Sequence, residues 1–469
     1  MKSKANIKIG LVDADLLHGG TRHPNLVLLK LAGFLHDNNI NFNLIIDNNE
    51  DISEYSFIYI SKVFSFTPDP LFYLKAKGTK DEQKFRLGGT GDYAIKKDVN
   101  DFKAARTRDM HQLESDPFLN TLKNFRGGNR DKGIDMRRQM PYYHLYDEYI
   151  EQKISEGRKP SYYNDYKYYS IGFLTRGCVR HCPFCVNKLE DKVVRYSELE
   201  WFLDNERDEN GKLVRPYIYL WDDNFLASDR EIWEPMLDAL IATKRPFQFR
   251  QGLDERILAE SEYGPIIAEK LSKCKYHGDF IFAFDNWRDR DKIIKALRIW
   301  KHYNPKKSTK FYLFCGYMLK AGNDEQLFND IKILFDRIHI LMKYGCFGYV
   351  MRHADYENHE LSNIYVQIAR WCNQPQFYRY MSFWEYCYRN QSFWEQKTKH
   401  LDVPNQIPFD EFERRYRSDY YQQPGMKLCK TMQTFMNFVD RFPNHYNEII
   451  MMFNYKLNEL TEPELWENK

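Results

Sequence analysis

The chain has 469 residues, 43% of them hydrophobic, and a net charge of +3 from 69 basic and 66 acidic side chains. That length allows two or three domains with a sizeable core, and the absence of a long apolar run excludes a helical membrane span. The near-neutral charge neither demands nor excludes a nucleic-acid partner.

The N-terminal residues Met1-Lys-Ser-Lys-Ala-Asn6 lead straight into an apolar run and resemble neither a secretory signal nor an anchor. Together with nine cysteines, this predicts a reducing, cytoplasmic and oxygen-protected setting without disulfides. Ile7–Val12 reads as a strand, and Asn25–Leu35 as a helix apolar all round. Phe42–Ile46 and Phe57–Ile60 read as two further strands at α/β spacing. Gly88-Gly89-Thr90-Gly91 follows Phe85-Arg-Leu87. Glycines there make a tight turn, or let backbone approach a phosphate or flat ring; the turn is the simpler reading. Residues 1–95 are thus predicted to form a small Rossmann-like domain. Residues 96–165 are polar, with Lys96–Lys103 and Arg126–Gly133 as their most charged runs, and read as a linker, insertion or lid.

From Tyr168 the pattern repeats. Strand-like runs centre near Ile171, Ile218, Phe249, Ile281, Leu313 and Tyr349, at intervals of 31 to 36 residues after a first of 47. That is close to the length of one βα unit. Amphipathic helices lie between them, with apolar residues at Ile293, Ala296, Leu297 and Trp300 in one and at Leu327, Ile331, Leu334, Phe335, Ile338 and Leu341 in another. The predicted class is α/β: a partial, TIM-like (βα)6 barrel over residues 166–355, with all strand C-termini on one rim. Those ends carry Asp222, Asp223 and Asn224 after the second strand, and Gln251, Asp254 and Arg256 after the third. Asp285 follows the fourth, Met318 the fifth, and Arg352 ends the sixth. Asp223, Asp254 and Asp289 are equally placed to be helix N-caps. Residues 356–469 form an aromatic-rich helical region. Its Phe377, Tyr380, Trp384 and Tyr388 have the spacing of a helix stripe packed on the barrel, and the interleaved arginines suit stacking on bases as an alternative.

The most specific feature follows the first barrel strand: Thr175-Arg-Gly-Cys178-Val-Arg-His-Cys182-Pro-Phe184-Cys185. Three thiolates on one loop hold three irons of a cubane [4Fe–4S] cluster and leave the fourth without a protein ligand. Structural zinc is the competing reading, but it normally takes four ligands, commonly in two pairs. Only one C-x2-C stands here, and the other six cysteines are scattered singly.

The triplet, with an aromatic before its last cysteine, resembles the signature of the radical S-adenosylmethionine (SAM) enzymes. The Pro24-Asn25-Leu26 helix start and the Gly-Gly turn are similar to the N-terminal domain of that superfamily's cobalamin-binding group. The resemblance implies a [4Fe–4S] cluster on Cys178, Cys182 and Cys185 whose open iron chelates SAM. It implies Phe184 against the adenine, and the polar end of the second strand near the methionyl amine. Asp222, Asp223, Asn224, Gln251, Asp254, Arg256, Asp285, Met318 and Arg352 are the candidates to meet SAM or substrate, and no single catalytic residue is marked. Cobalamin is disfavoured: the domain is short, and the Asp-x-His-x-x-Gly signature is absent, although His18 and His23 lie nearby. The expected activity is reductive cleavage of SAM and hydrogen abstraction from a small molecule, peptide or nucleic acid. The electrons would come from a one-electron donor such as flavodoxin or ferredoxin, and no membrane partner is expected. The alternatives are a cobalamin-dependent methyltransferase and a non-catalytic iron–sulfur protein that senses redox state or binds nucleic acid. No RNA-binding module or second cluster is visible, which disfavours a tRNA methylthiotransferase.

Overall fold

A computed structural model describes residues 7–91, 111–122, 134–187, 190–423 and 426–467. The chain forms two compact units, residues 1–251 and 252–469. The predicted segments Lys96–Lys103 and Arg126–Gly133 lie outside the described residues.

The first unit begins with four parallel strands, β1 (Lys8–Asp13), β2 (Asn41–Leu44), β3 (Phe57–Ser61) and β4 (Phe85–Gly88), in the order β2-β1-β3-β4. The near-continuous apolar runs of β1 and β3 suit inner strands buried on both faces. The helix Leu26–Asp37 connects β1 to β2. The Asn25 side chain caps it by accepting from the amides of Val27 and Leu28, and donates its own amide to Ser61 Oγ at 2.8 Å. The short β4 was not visible as a strand in the sequence. The glycine run after it serves packing: the Lys62 amide donates to the Gly88 carbonyl and the Gly91 amide to the Lys62 carbonyl, both at 2.9 Å. At Gly89, with φ +101°, a side chain would meet the Lys62 carbonyl oxygen at 2.3 Å.

The stretch read as linker or lid supplies part of the core. Leu113, Leu119, Met136, Tyr143, Tyr146 and Ile150 are buried in one cluster with Leu28, Leu31 and Phe34 of the helix. Lys30, on that helix, is itself buried and donates to the carbonyls of Arg137 at 2.7 Å and Gln139 at 2.9 Å. Backbone acceptors satisfy the ammonium, and burial lowers its pKa to about 7.

Further along the first unit come β5 (Tyr169–Gly172), β6 (Thr175–Gly177), β7 (Val193–Arg195), β8 (Tyr217–Leu220) and β9 (Phe247–Phe249). The strands β5-β8-β9 form a parallel sheet, and β6 and β7 an antiparallel pair. The inserted β6–β7 pair explains why the first sequence interval exceeds the others. In the second unit β10 (Phe280–Ala283), β11 (Thr309–Cys315) and β12 (Phe347–Arg352) form a parallel sheet in that order. The helices Arg290–Tyr303 and Asp324–Lys343 link them. All six predicted strand centres fall within strands, and the hydrogen-bonded ladders make two three-stranded sheets, one in each unit.

The C-terminal region is helical. Its predicted aromatic stripe is interrupted, because one helix ends at Tyr380 and the next, Phe383–Lys399, starts from a capping box between Ser382 and Glu385. Trp384 and Tyr388 are buried, whereas Tyr380 is 70% exposed. No helix among the described residues is long and apolar enough to cross a membrane.

At the end of β1, Asp13 accepts from the Leu16 amide at 3.2 Å and the Tyr146 hydroxyl at 3.0 Å, and burial pushes its pKa up to about 7. The native state therefore binds a proton more tightly than the unfolded chain. This contribution is fully present below about pH 4 and is lost as pH rises through about 7. Urea unfolding followed by circular dichroism should show stability falling across that window, with a shallower fall in Asp13→Asn. An identical slope in the variant would exclude Asp13 as its source.

Candidate functional site

Leaving β5, the chain passes Phe173 and Leu174 and enters β6, whose last residue pairs with Val193 of β7. The segment that carries the cysteine triplet therefore starts and ends side by side, at Gly177 and Val193. Gly177 has φ +104°, and a Cβ there would lie 2.2 Å from the Lys192 carbonyl oxygen, so the tight start of the loop requires glycine.

Within the loop the Cys185 amide donates to the Cys182 carbonyl at 3.0 Å, turning the chain between these two cysteines. Cys178 is buried, and Cys182 and Cys185 are half-buried. The Cys178 sulfur accepts from the Arg180 amide at 3.3 Å and from the Asn224 side-chain amide at 3.5 Å. The Cys185 sulfur accepts from the Asn187 amide at 3.4 Å. Such N–H···S contacts stabilise thiolate charge. Among the described residues no group of three or more His, Cys, Asp or Glu side chains is gathered as for a metal ion. The fit to an iron–sulfur cluster therefore lies in the donor set and its hydrogen bonding. Three thiols stand on one loop, and amides are aimed at two of them.

The run after β8 holds this loop. Asp222 is 0% exposed, and its carboxylate accepts from the amides of Leu174 at 3.1 Å and Thr175 at 2.5 Å, and from the Thr175 hydroxyl at 2.7 Å. Burial raises its pKa to about 6, against the lowering by these donors. Asp222 thus clamps the approach to the cysteine loop. Asp223 accepts from the Gly177 amide at 3.0 Å and lies 3.4 Å from the Arg176 guanidinium, so it too acts on the loop instead of capping a helix. Arg176 in turn sits over the Phe173 ring. The third residue of the run, Asn224, reaches the Cys178 sulfur. Phe184 is half-buried within the loop, and Gln251, two residues beyond β9, is exposed.

The first unit also contains His23, one of the two histidines near the position of the absent cobalamin signature. Its Nδ1 lies 2.5 Å from Asp165 and its Nε2 3.4 Å from the Arg250 guanidinium, with the ring edge-on to Trp221. His18 lies in the last turn of the short helix Ala14–Gly19.

The remaining candidates belong to the second unit. Asp254 pairs with Arg256 at 2.7 Å, and Arg256 reaches Asp289 at 3.0 Å. Asp289 stands at the N-cap of the helix Arg290–Tyr303 but makes no side-chain cap bond to it. Asp285 accepts from the Phe314 amide at 3.0 Å, and burial raises its pKa. Met318 is 61% exposed in the left-handed region, φ +57°, where its amide donates to Asp355 at 2.8 Å. The Arg352 guanidinium lies over the Tyr356 ring. Two buried residues were missed. Glu255 accepts from the Ala283 amide at 3.1 Å and is pushed well above the carboxylate range by burial and by Asp254. Arg337 donates to the carbonyls of Phe284 at 2.7 Å and Phe314 at 2.9 Å. Glu255 had a signal in its place between Asp254 and Arg256; Arg337, inside an amphipathic helix pattern, had none.

No protein-family model matches the chain, and no curated protein does. A solved structure similar to it is a radical S-adenosylmethionine methyltransferase, TsrM, from Kitasatospora setae, with cobalamin and a [4Fe-4S] cluster bound. The two share 11% identity over 74% of each chain, with a TM-score of 0.43. A likeness of that size carries no argument about this chain, so its function is argued from its own residues.

Replacing Asp222 by alanine leaves two buried amides and a hydroxyl without their acceptor. Urea denaturation should report a loss of about 3 kcal/mol for Asp222→Ala. Limited proteolysis should cut between residues 178 and 192 faster than in the unaltered protein. Asp222→Asn keeps one acceptor oxygen and should lose less. Equal stability of all three proteins would refute the clamp.

Proposed function

We propose that this chain is a radical SAM enzyme, holding a [4Fe–4S] cluster through Cys178, Cys182 and Cys185. The observation that carries the reading is the three-cysteine loop itself, with backbone or side-chain amides donating to the Cys178 and Cys185 sulfurs. When bound, such a cluster supplies one electron to the SAM sulfonium, breaking the C5′–S bond to give methionine and a 5′-deoxyadenosyl radical that takes a hydrogen atom from substrate. A soluble one-electron donor such as flavodoxin or ferredoxin would provide that electron.

The chain's own residues would do the rest. Asp222 and Asp223 hold the loop through its backbone. Phe184 would pack against the adenine, as the family resemblance implies. Gln251, Asp254, Arg256, Asp285, Met318 and Arg352 follow or end parallel strands, where a partial (βα)6 barrel would turn them toward SAM or substrate. Carboxylates and amides suit the ammonium and ribose diol of SAM, and arginine suits its carboxylate. Asp254 and Arg256 already neutralise each other, so either would have to exchange its partner for the ligand.

Anaerobic reconstitution should load about four irons and four sulfides per chain, as a cubane requires. Dithionite should then give an EPR-active reduced cluster and slow release of 5′-deoxyadenosine from SAM. Cys178→Ala, Cys182→Ala and Cys185→Ala combined should abolish both. Zinc in place of iron, a cluster that survives the triple change, or no 5′-deoxyadenosine under any reducing condition would each overturn the reading.

A further inference from the structure

Resting on that reading, we infer that Asn224 sets the reduction potential of the cluster through a hydrogen bond to Cys178. Its Nδ2 lies 3.5 Å from the Cys178 sulfur, and both residues are buried, at 4% and 9% exposure. The amide nitrogen carries only donors, so at this position it gives an N–H to the sulfur. Its placement is fixed. Asn224 follows the two aspartates that hold the loop and precedes a short 3-10 turn, Phe225–Ala227, in which Phe225 and Leu226 are buried. The Arg180 amide supplies a second donor to the same sulfur, at 3.3 Å.

One added electron takes [4Fe–4S]2+ to [4Fe–4S]1+ and increases the negative charge on the thiolate sulfurs. A donor aimed at one of them therefore stabilises the reduced state more than the oxidised one and raises the midpoint potential. In a dry environment this preference is larger than it would be in water. In this role Asn224 is a positioning and tuning residue that acts through Cys178.

The test is an EPR-monitored redox titration with dithionite on the reconstituted full chain. It compares the unaltered protein with Asn224→Leu, which keeps the volume without donors, and Asn224→Asp, which keeps the shape and puts an acceptor beside the sulfur. The midpoint should move to a more negative value in Asn224→Leu and further in Asn224→Asp. Circular dichroism and iron content confirm that each protein compared is folded and loaded, and either variant alone suffices. A midpoint that is unchanged or more positive in a loaded variant overturns the inference while leaving the proposed activity standing. Failure of the unaltered protein to take up a cluster overturns the activity instead.

Discussion

The carboxylate of Asp222 sets where the cysteines can be. A chain leaving a buried parallel strand must turn without orphaning its amides, because an unpaired buried N–H costs about as much as a hydrogen bond contributes. Here one side chain from the neighbouring strand end accepts from the amides of both Leu174 and Thr175. The cost appears in the acid itself: burial outweighs three donors and leaves the carboxyl less acidic than in water. The path of the loop therefore depends on β8, a strand that carries none of the cysteines.

The same device recurs in the second unit. Asp285 accepts from the Phe314 amide, Glu255 from the Ala283 amide, and Asp330 from the Gly316 amide. Arg337 answers with donors to the carbonyls of Phe284 and Phe314. Charged side chains thus satisfy backbone groups at and just beyond the strand ends. Several polar residues at these strand ends therefore carry a backbone duty, and burial raises the pKa of Asp285 and of Glu255.

The sequence made the six regularly spaced strands and β1 to β3 legible because each holds an apolar run at α/β spacing. It made the cysteine loop legible because three thiols at that spacing have few other uses. Four features were hidden, each for a physical reason. β4 is too short, and too close to glycines, to read as a strand. The tyrosines at 143 and 146 look polar in a charged neighbourhood, yet bury their rings in the core while their hydroxyls find backbone or carboxylate partners. The break after Tyr380 depends on a capping box that redirects a continuous aromatic pattern. The task of Asp222 depends on where two amides come to lie, and spacing along a chain does not show which group will be next to which. Residue type indicated chemistry at the strand ends; the backbone partners of these side chains became visible only in the structure.

The pairing of β6 with β7 also bears on assembly. Its ladder consists of backbone bonds, so the ends of the cysteine loop are joined independently of what the thiols hold. Bringing distant chain segments together is an entropic cost that grows with the logarithm of loop length. For this loop that cost falls on the folding of the first unit, leaving only local ordering to accompany capture of iron and sulfide.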